Sequence, residues 1–93
     1  MKVEQIIAEE FDERLGLMVV AYMFDQLSQD RAAAITDEEI ENAEGEGFLS
    51  KHFIQSLMRC ARRIAQECDF VKDVVPYIIE NYGWLAKKKG SRS

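Results

Sequence analysis

The stretch Leu15–Phe24 reads Leu-Gly-Leu-Met-Val-Val-Ala-Tyr-Met-Phe, ten residues without a charged side chain, set between Arg14 and Asp25. A surface helix breaks such a run with polar residues and keeps only an apolar stripe. This run is apolar all the way round, so it must be covered on nearly every side, by its own domain or by a partner. A bilayer-spanning helix needs about 20 apolar residues, so no membrane span is expected.

Val3, Ile6, Ile7, Phe11 and Leu15 precede it at the 3–4 spacing of an amphipathic helix, with Glu4, Glu9, Glu10, Asp12 and Glu13 on the other face. The spacing predicts one helix over residues 3–28 or so. Gly16 interrupts it at a cost of about 1 kcal/mol relative to alanine, and marks either a bend or a close helix crossing. A strand over Leu17–Phe24 is the competing reading, because Val19, Val20, Tyr22 and Phe24 favour strands. Five glycines and one proline are too few turn signals for an all-β chain, and no second strand of matching quality exists.

Ser28–Ala34 reads as a loop or a loose helical turn. Thr36 and Glu39 form a capping box, predicting a short helix over Asp37–Glu44 that Gly45 and Gly47 end. Ser50 is the next N-cap. After it, Phe53, Ile54, Leu57, Met58, Ala61, Ile64, Ala65 and Cys68 share one face of a helix over Lys51–Glu67, with Arg59, Arg62, Arg63 and Gln66 opposite. A last helix is capped by Asp69 or Asp73. Pro76 belongs in a first turn, which places the segment at Val74–Asn81, with Gly83 as its C-cap and Trp84 and Leu85 folding back. The fold class is all-α, a compact bundle of four to five helices around a central apolar helix. It occupies a single domain over residues 1–86. Lys87–Ser93 has no apolar anchor and is expected to be a mobile basic tail.

Residues 1–46 hold 13 acids and three bases, a net −10, whereas residues 47–93 hold four acids and nine bases, a net +5. Either the halves pack so that their fields cancel, or one face serves an oppositely charged partner. Cys60 and Cys68 are eight residues apart on one helix, about 12 Å, beyond the reach of a disulfide. With no export signal at the N-terminus, free thiols point to a reducing, intracellular, cytoplasmic setting.

No cofactor or metal site is expected. The acids at 9–13 lack the Glu-x-x-His pairs of a bundle metal site, Asp37–Glu46 lacks the order and central glycine of a calcium loop, and His52 is the only histidine. No catalytic constellation can be built around His52, and both cysteines sit on or beside an apolar face, where they act as small hydrophobes. The chain is not expected to be an enzyme.

What remains is charge. Six acids within residues 37–46 make Asp37, Glu38, Glu41, Glu44 and Glu46 the first choice of binding surface, for a protein with a basic face. Arg59, Arg62 and Arg63 are the second choice, for an acidic partner, unless they pair with the acidic helix of this same chain. A small intracellular helical protein-binding module is therefore expected, an inhibitor, adaptor or modulator, with phage-type inhibitors of nucleic-acid-binding machinery as one such class. The alternative is a homodimeric nucleic-acid-binding regulator using the arginine stripe and the basic tail. A net charge of −5 opposes it, since nucleic-acid-binding domains are usually basic. Self-association is a separate expectation: Leu17, Val20 and Phe24 would form the contact if one bundle leaves the apolar run partly uncovered.

Overall fold

Val3, Ile6 and Ile7 form the buried stripe of the first helix, α1 (Lys2–Glu10). The structure is a computed structural model that describes the backbone of residues 2–90 and the side chains of residues 2–23 and 27–83. The single helix expected over residues 3–28 is divided in two. The chain leaves helical geometry at Asp12, at φ −150° and ψ 122°. The Asp12 carboxylate accepts the Arg14 amide at 2.9 Å and caps a 3₁₀ turn over Glu13–Leu15. A second helix, α2 (Gly16–Gln26), starts at the glycine. A short acidic side chain that captures a nearby backbone amide competes with helix continuation, which is the local cause of the break.

Two five-residue helices follow, α3 (Gln29–Ala33) and α4 (Asp37–Glu41). Helices this short are unstable alone, and both depend on their caps. Ser28 Oγ accepts the Arg31 amide at 3.1 Å. The Thr36 capping box forms in both directions, the Glu39 amide donating to Thr36 Oγ1 and the Thr36 amide to Glu39 Oε1, each at 3.1 Å. α4 stops at Glu41, short of the expected Glu44, because Ile40 is its only buried anchor.

The long helix α5 (Lys51–Glu67) has the expected bounds, and Ser50 Oγ accepts the Phe53 amide at 3.1 Å. It buries Leu57, Cys60, Ala61 and Ile64 and packs against α1, α2, α3 and α4. α5 is therefore the central helix, which corrects the expectation that the apolar run would hold that place. α2 buries Val19, Val20 and Met23 but leaves Leu17 42% exposed, so the run lies at the edge of the bundle and is covered mainly on one side.

Asp69 Oδ1 accepts the Lys72 amide at 2.8 Å and starts a π-helical turn, Phe70–Val74, that leads into α6 (Val75–Gly90). Pro76 is the second residue of α6, in its first turn, as expected. Gly83 is not a C-cap: the helix continues through it to Gly90, because a glycine stops a helix only when it adopts the left-handed conformation. Gly47 alone has a positive φ among the described residues. Lys87–Gly90, expected in the tail, belong to the last turns of α6. Their side chains, those of Trp84 and Leu85, and residues 91–93 lie outside the described residues.

The core joins Val3, Ile6 and Ile7 of α1, Val19, Val20 and Met23 of α2, Ala32 of α3, the buried face of α5, and Val74 and Tyr77. Phe11 closes the corner between α1 and α2, edge-on to Phe53 at a centroid distance of 4.9 Å. The protein is all-α, with six α-helices and no strand among the described residues. No described helix is long and apolar enough to cross a membrane.

Candidate charged interaction surface

The arginines of α5 face the acids of the first half of the chain. Arg63 stands where α1 crosses α5. Its Nη1 donates to Glu9 Oε1 and Glu10 Oε2, each at 2.9 Å, and its Nε donates to Glu67 Oε2 at 2.8 Å. One half-buried guanidinium thus serves three carboxylates. Glu67, Glu9 and Glu10 together raise the Arg63 pKa above its ordinary value. In return, the guanidinium holds the Glu67 carboxyl below the usual carboxylate range. Arg62 Nη1 donates to Asp37 Oδ1 at 2.7 Å and to the Ile35 carbonyl at 3.3 Å. Arg59 reaches Ser56 Oγ at 3.2 Å. Two of the three stripe arginines are therefore engaged with acids of this same chain.

The Arg63 cluster has a testable consequence. Its ion pairs are partly solvated, so Arg63→Gln lowers stability at pH 7 by about 1 kcal/mol. Glu67 has a depressed pKa in the folded state, so its contribution is present above the unfolded carboxyl value and is lost as pH falls through the folded one. The gap between wild type and variant in urea unfolding should therefore close between about pH 5 and pH 3. It should also narrow in 0.5 M salt, where exposed charges are screened.

A further use of α5 was not anticipated from the sequence. Gln55 Nε2 donates to the Ile40 carbonyl and Gln66 Nε2 to the Ala33 carbonyl, both at 2.9 Å. With Arg62 on Ile35, these side chains supply donors to carbonyls at or just beyond the ends of the short helices, where backbone partners run out; the Ile40 carbonyl also accepts the Ala43 amide at 3.2 Å. The signal was present in the spacing of Gln55, Arg62 and Gln66, seven and four residues apart on the one helical face opposite the apolar stripe.

The acids of α4 and the segment after it divide. Asp37 is held by Arg62, and Glu39, paired with Arg31, is drawn below the usual carboxylate range by that contact and by the Thr36 amide. Glu38, Glu41, Glu44 and Glu46 are exposed and make no ion pair among the described residues. Glu46 opens a two-residue turn. Its amide donates to the Leu49 carbonyl at 2.8 Å, and the Leu49 amide returns to the Glu46 carbonyl at 2.9 Å. Gly47, at φ 58°, takes the turn position that needs a positive φ. Gly45 fits closely: a Cβ there would lie 2.7 Å from the Leu49 carbonyl oxygen. Phe48 stands at the tip, 105% exposed. Sequence reading passed over Phe48. The Glu-Gly-Phe-Leu order announces a tight turn, but not which apolar residue is turned outward.

Two shallow clefts lie among the described residues. One of about 240 Å³ is lined by Glu4, Ile7, Glu13, Tyr77, Asn81 and Tyr82. The other, of about 350 Å³, holds Asp12, Ser50, His52 and Ser56 beside Phe11 and Phe53. Ser50 Oγ is occupied as a helix cap, Asp12 by Arg14, and Ser56 by Arg59. No hydrogen bond joins His52 to any of them among the described residues. Cys60 and Cys68 are buried and unpaired, and burial pushes the Cys60 thiol up to about 12 and raises that of Cys68, the reverse of an activated thiolate. Of the residues expected in self-association, Leu17 is exposed, Val20 packs into the core, and the Phe24 side chain lies outside the described residues. Comparison with known protein families, curated proteins and solved structures finds no match to this chain.

Proposed function

We propose that this chain is a small protein-binding module of the cell interior that engages a partner with a basic surface through Glu38, Glu41, Glu44 and Glu46, acting as an inhibitor, adaptor or modulator. One observation carries the reading: the two charge sets are used differently. Arg62 and Arg63 are consumed by Asp37, Glu9, Glu10 and Glu67. The four acids on and after α4 stand exposed and make no ion pair among the described residues. Like charges held close repel one another, and a basic partner relieves that repulsion while long-range attraction raises the association rate. A basic partner surface of this kind includes nucleic-acid-binding sites, which the module would then occupy in place of nucleic acid. The engagement of two of the three stripe arginines weighs against nucleic acid as the ligand.

The test compares capture of partners from cell lysate by the wild type and by Glu38→Lys/Glu41→Lys/Glu44→Lys. These side chains are exposed, so the variant should keep its helical circular dichroism. A partner retained by wild type at 50 mM salt, weakened at 300 mM and absent from the variant is the expected result. Equal retention by both proteins overturns the acidic-surface reading. Salt-sensitive retention of nucleic acid by both replaces it with the nucleic-acid one.

A further inference from the structure

Phe48 is the most exposed large apolar side chain described, and it stands on a turn fixed from both ends. Two reciprocal hydrogen bonds close the turn between Glu46 and Leu49. Leu49 is half-buried below it, and Ser50 starts α5 immediately after. A scattered exposed apolar residue needs no explanation. Phe48 differs in being displayed on an ordered tip, clear of the core, with Glu44 and Glu46 beside it in the chain, both exposed and making no ion pair among the described residues.

We propose that Phe48 is the anchor of the interface, inserting into an apolar pocket of the partner protein whose rim carries lysine or arginine side chains that meet Glu44 and Glu46. The proposal rests on the acidic-surface reading and adds to it the group that supplies specificity. A central aromatic anchor within a polar rim is the usual anatomy of a protein interface. A fixed two-residue turn also leaves little ordering cost to be met on binding. A symmetric pairing of two Phe48 tips does not fit, because it would bring Glu44 and Glu46 of both copies together, like charge against like.

The experiment places the photo-cross-linker p-benzoylphenylalanine at position 48, or at exposed Glu80 as control, in the full chain, and irradiates it in lysate with unlabelled competitors. We expect a discrete adduct from position 48 and none from position 80, joined to a partner peptide rich in basic residues. Wild type should suppress it. Phe48→Ala, which should unfold at the wild-type temperature, should require about 30-fold more protein for the same suppression, as for a hot-spot aromatic. Glu44→Lys/Glu46→Lys should be weakened about 10-fold at low salt.

Equal competition by Phe48→Ala and wild type overturns the anchor, and leaves the acidic surface standing if the lysine variant is weak. Equal competition by the lysine variant and wild type overturns the basic rim and, with it, the acidic-surface reading. An adduct of two copies of this chain, or none from position 48, overturns the proposed partner.

Discussion

Ile64→Ala is expected to cost about 3 kcal/mol, the largest loss of any single truncation in α5. Ile64 is 1% exposed and is among the largest fully buried side chains. It sits on the helix that α1, α2, α3 and α4 all pack against. Removing its outer carbons forfeits both their transfer free energy and the contacts around the cavity left behind, a sum of roughly 2–5 kcal/mol in well-packed cores. For a domain of this size that corresponds to a drop in Tm of roughly 12–24 °C. Leu17→Ala is the internal comparison, because Leu17 is 42% exposed and belongs to the apolar run. It should cost less than about 1 kcal/mol. If thermal unfolding gives Leu17→Ala the larger shift, the centre of the bundle is α2 and the assignment of α5 as hub is wrong.

This difference between α2 and α5 shows what sequence pattern encodes. The bounds of α5 were legible because a local cap at Ser50 and a long period of apolar residues agree. The Thr36–Glu39 box was legible for the same reason, since both of its hydrogen bonds lie within four residues. The break at Asp12 was not, because Phe11 and Leu15 keep the helical spacing across it in the sequence, although the backbone between them leaves the helix. The apolar run looked central because hydrophobicity measures a demand for cover, and it does not say which element supplies it. Gly83 read as a stop on residue type alone, whereas its backbone stays helical. Of the charged surface, the exposure of Glu38, Glu41, Glu44 and Glu46 followed from composition. The pairing of Arg63 with Glu9 and Glu10 is set by how α1 crosses α5, which no local pattern specifies.

Gly16 tests that tertiary layer directly. Its φ of −57° and ψ of −32° are ordinary right-handed helix, so any residue could adopt its backbone. On helix propensity alone, Gly16→Ala should stabilise by about 1 kcal/mol. The surroundings reverse the sign. A Cβ at Gly16 would lie 2.1 Å from Tyr77 Oη and 2.8 Å from Tyr82 Oη, well inside van der Waals contact. Tyr77 is 3% exposed, and its ring meets that of Tyr82 edge-on at 5.8 Å, so it cannot swing away without disturbing the core. Overpacking of this kind costs about 1–3 kcal/mol, and we expect Gly16→Ala to lose about 2 kcal/mol net in urea unfolding. Tyr77→Phe removes the atom in closest conflict, and Tyr82, half-buried at the cleft edge, can turn outward. In the Tyr77→Phe background, Gly16→Ala should therefore be neutral or stabilising, a coupling of about 2 kcal/mol in the double-mutant cycle. A stabilising Gly16→Ala in the wild-type background would refute the close approach. The glycine at the head of α2 would then be a matter of helix propensity and nothing more.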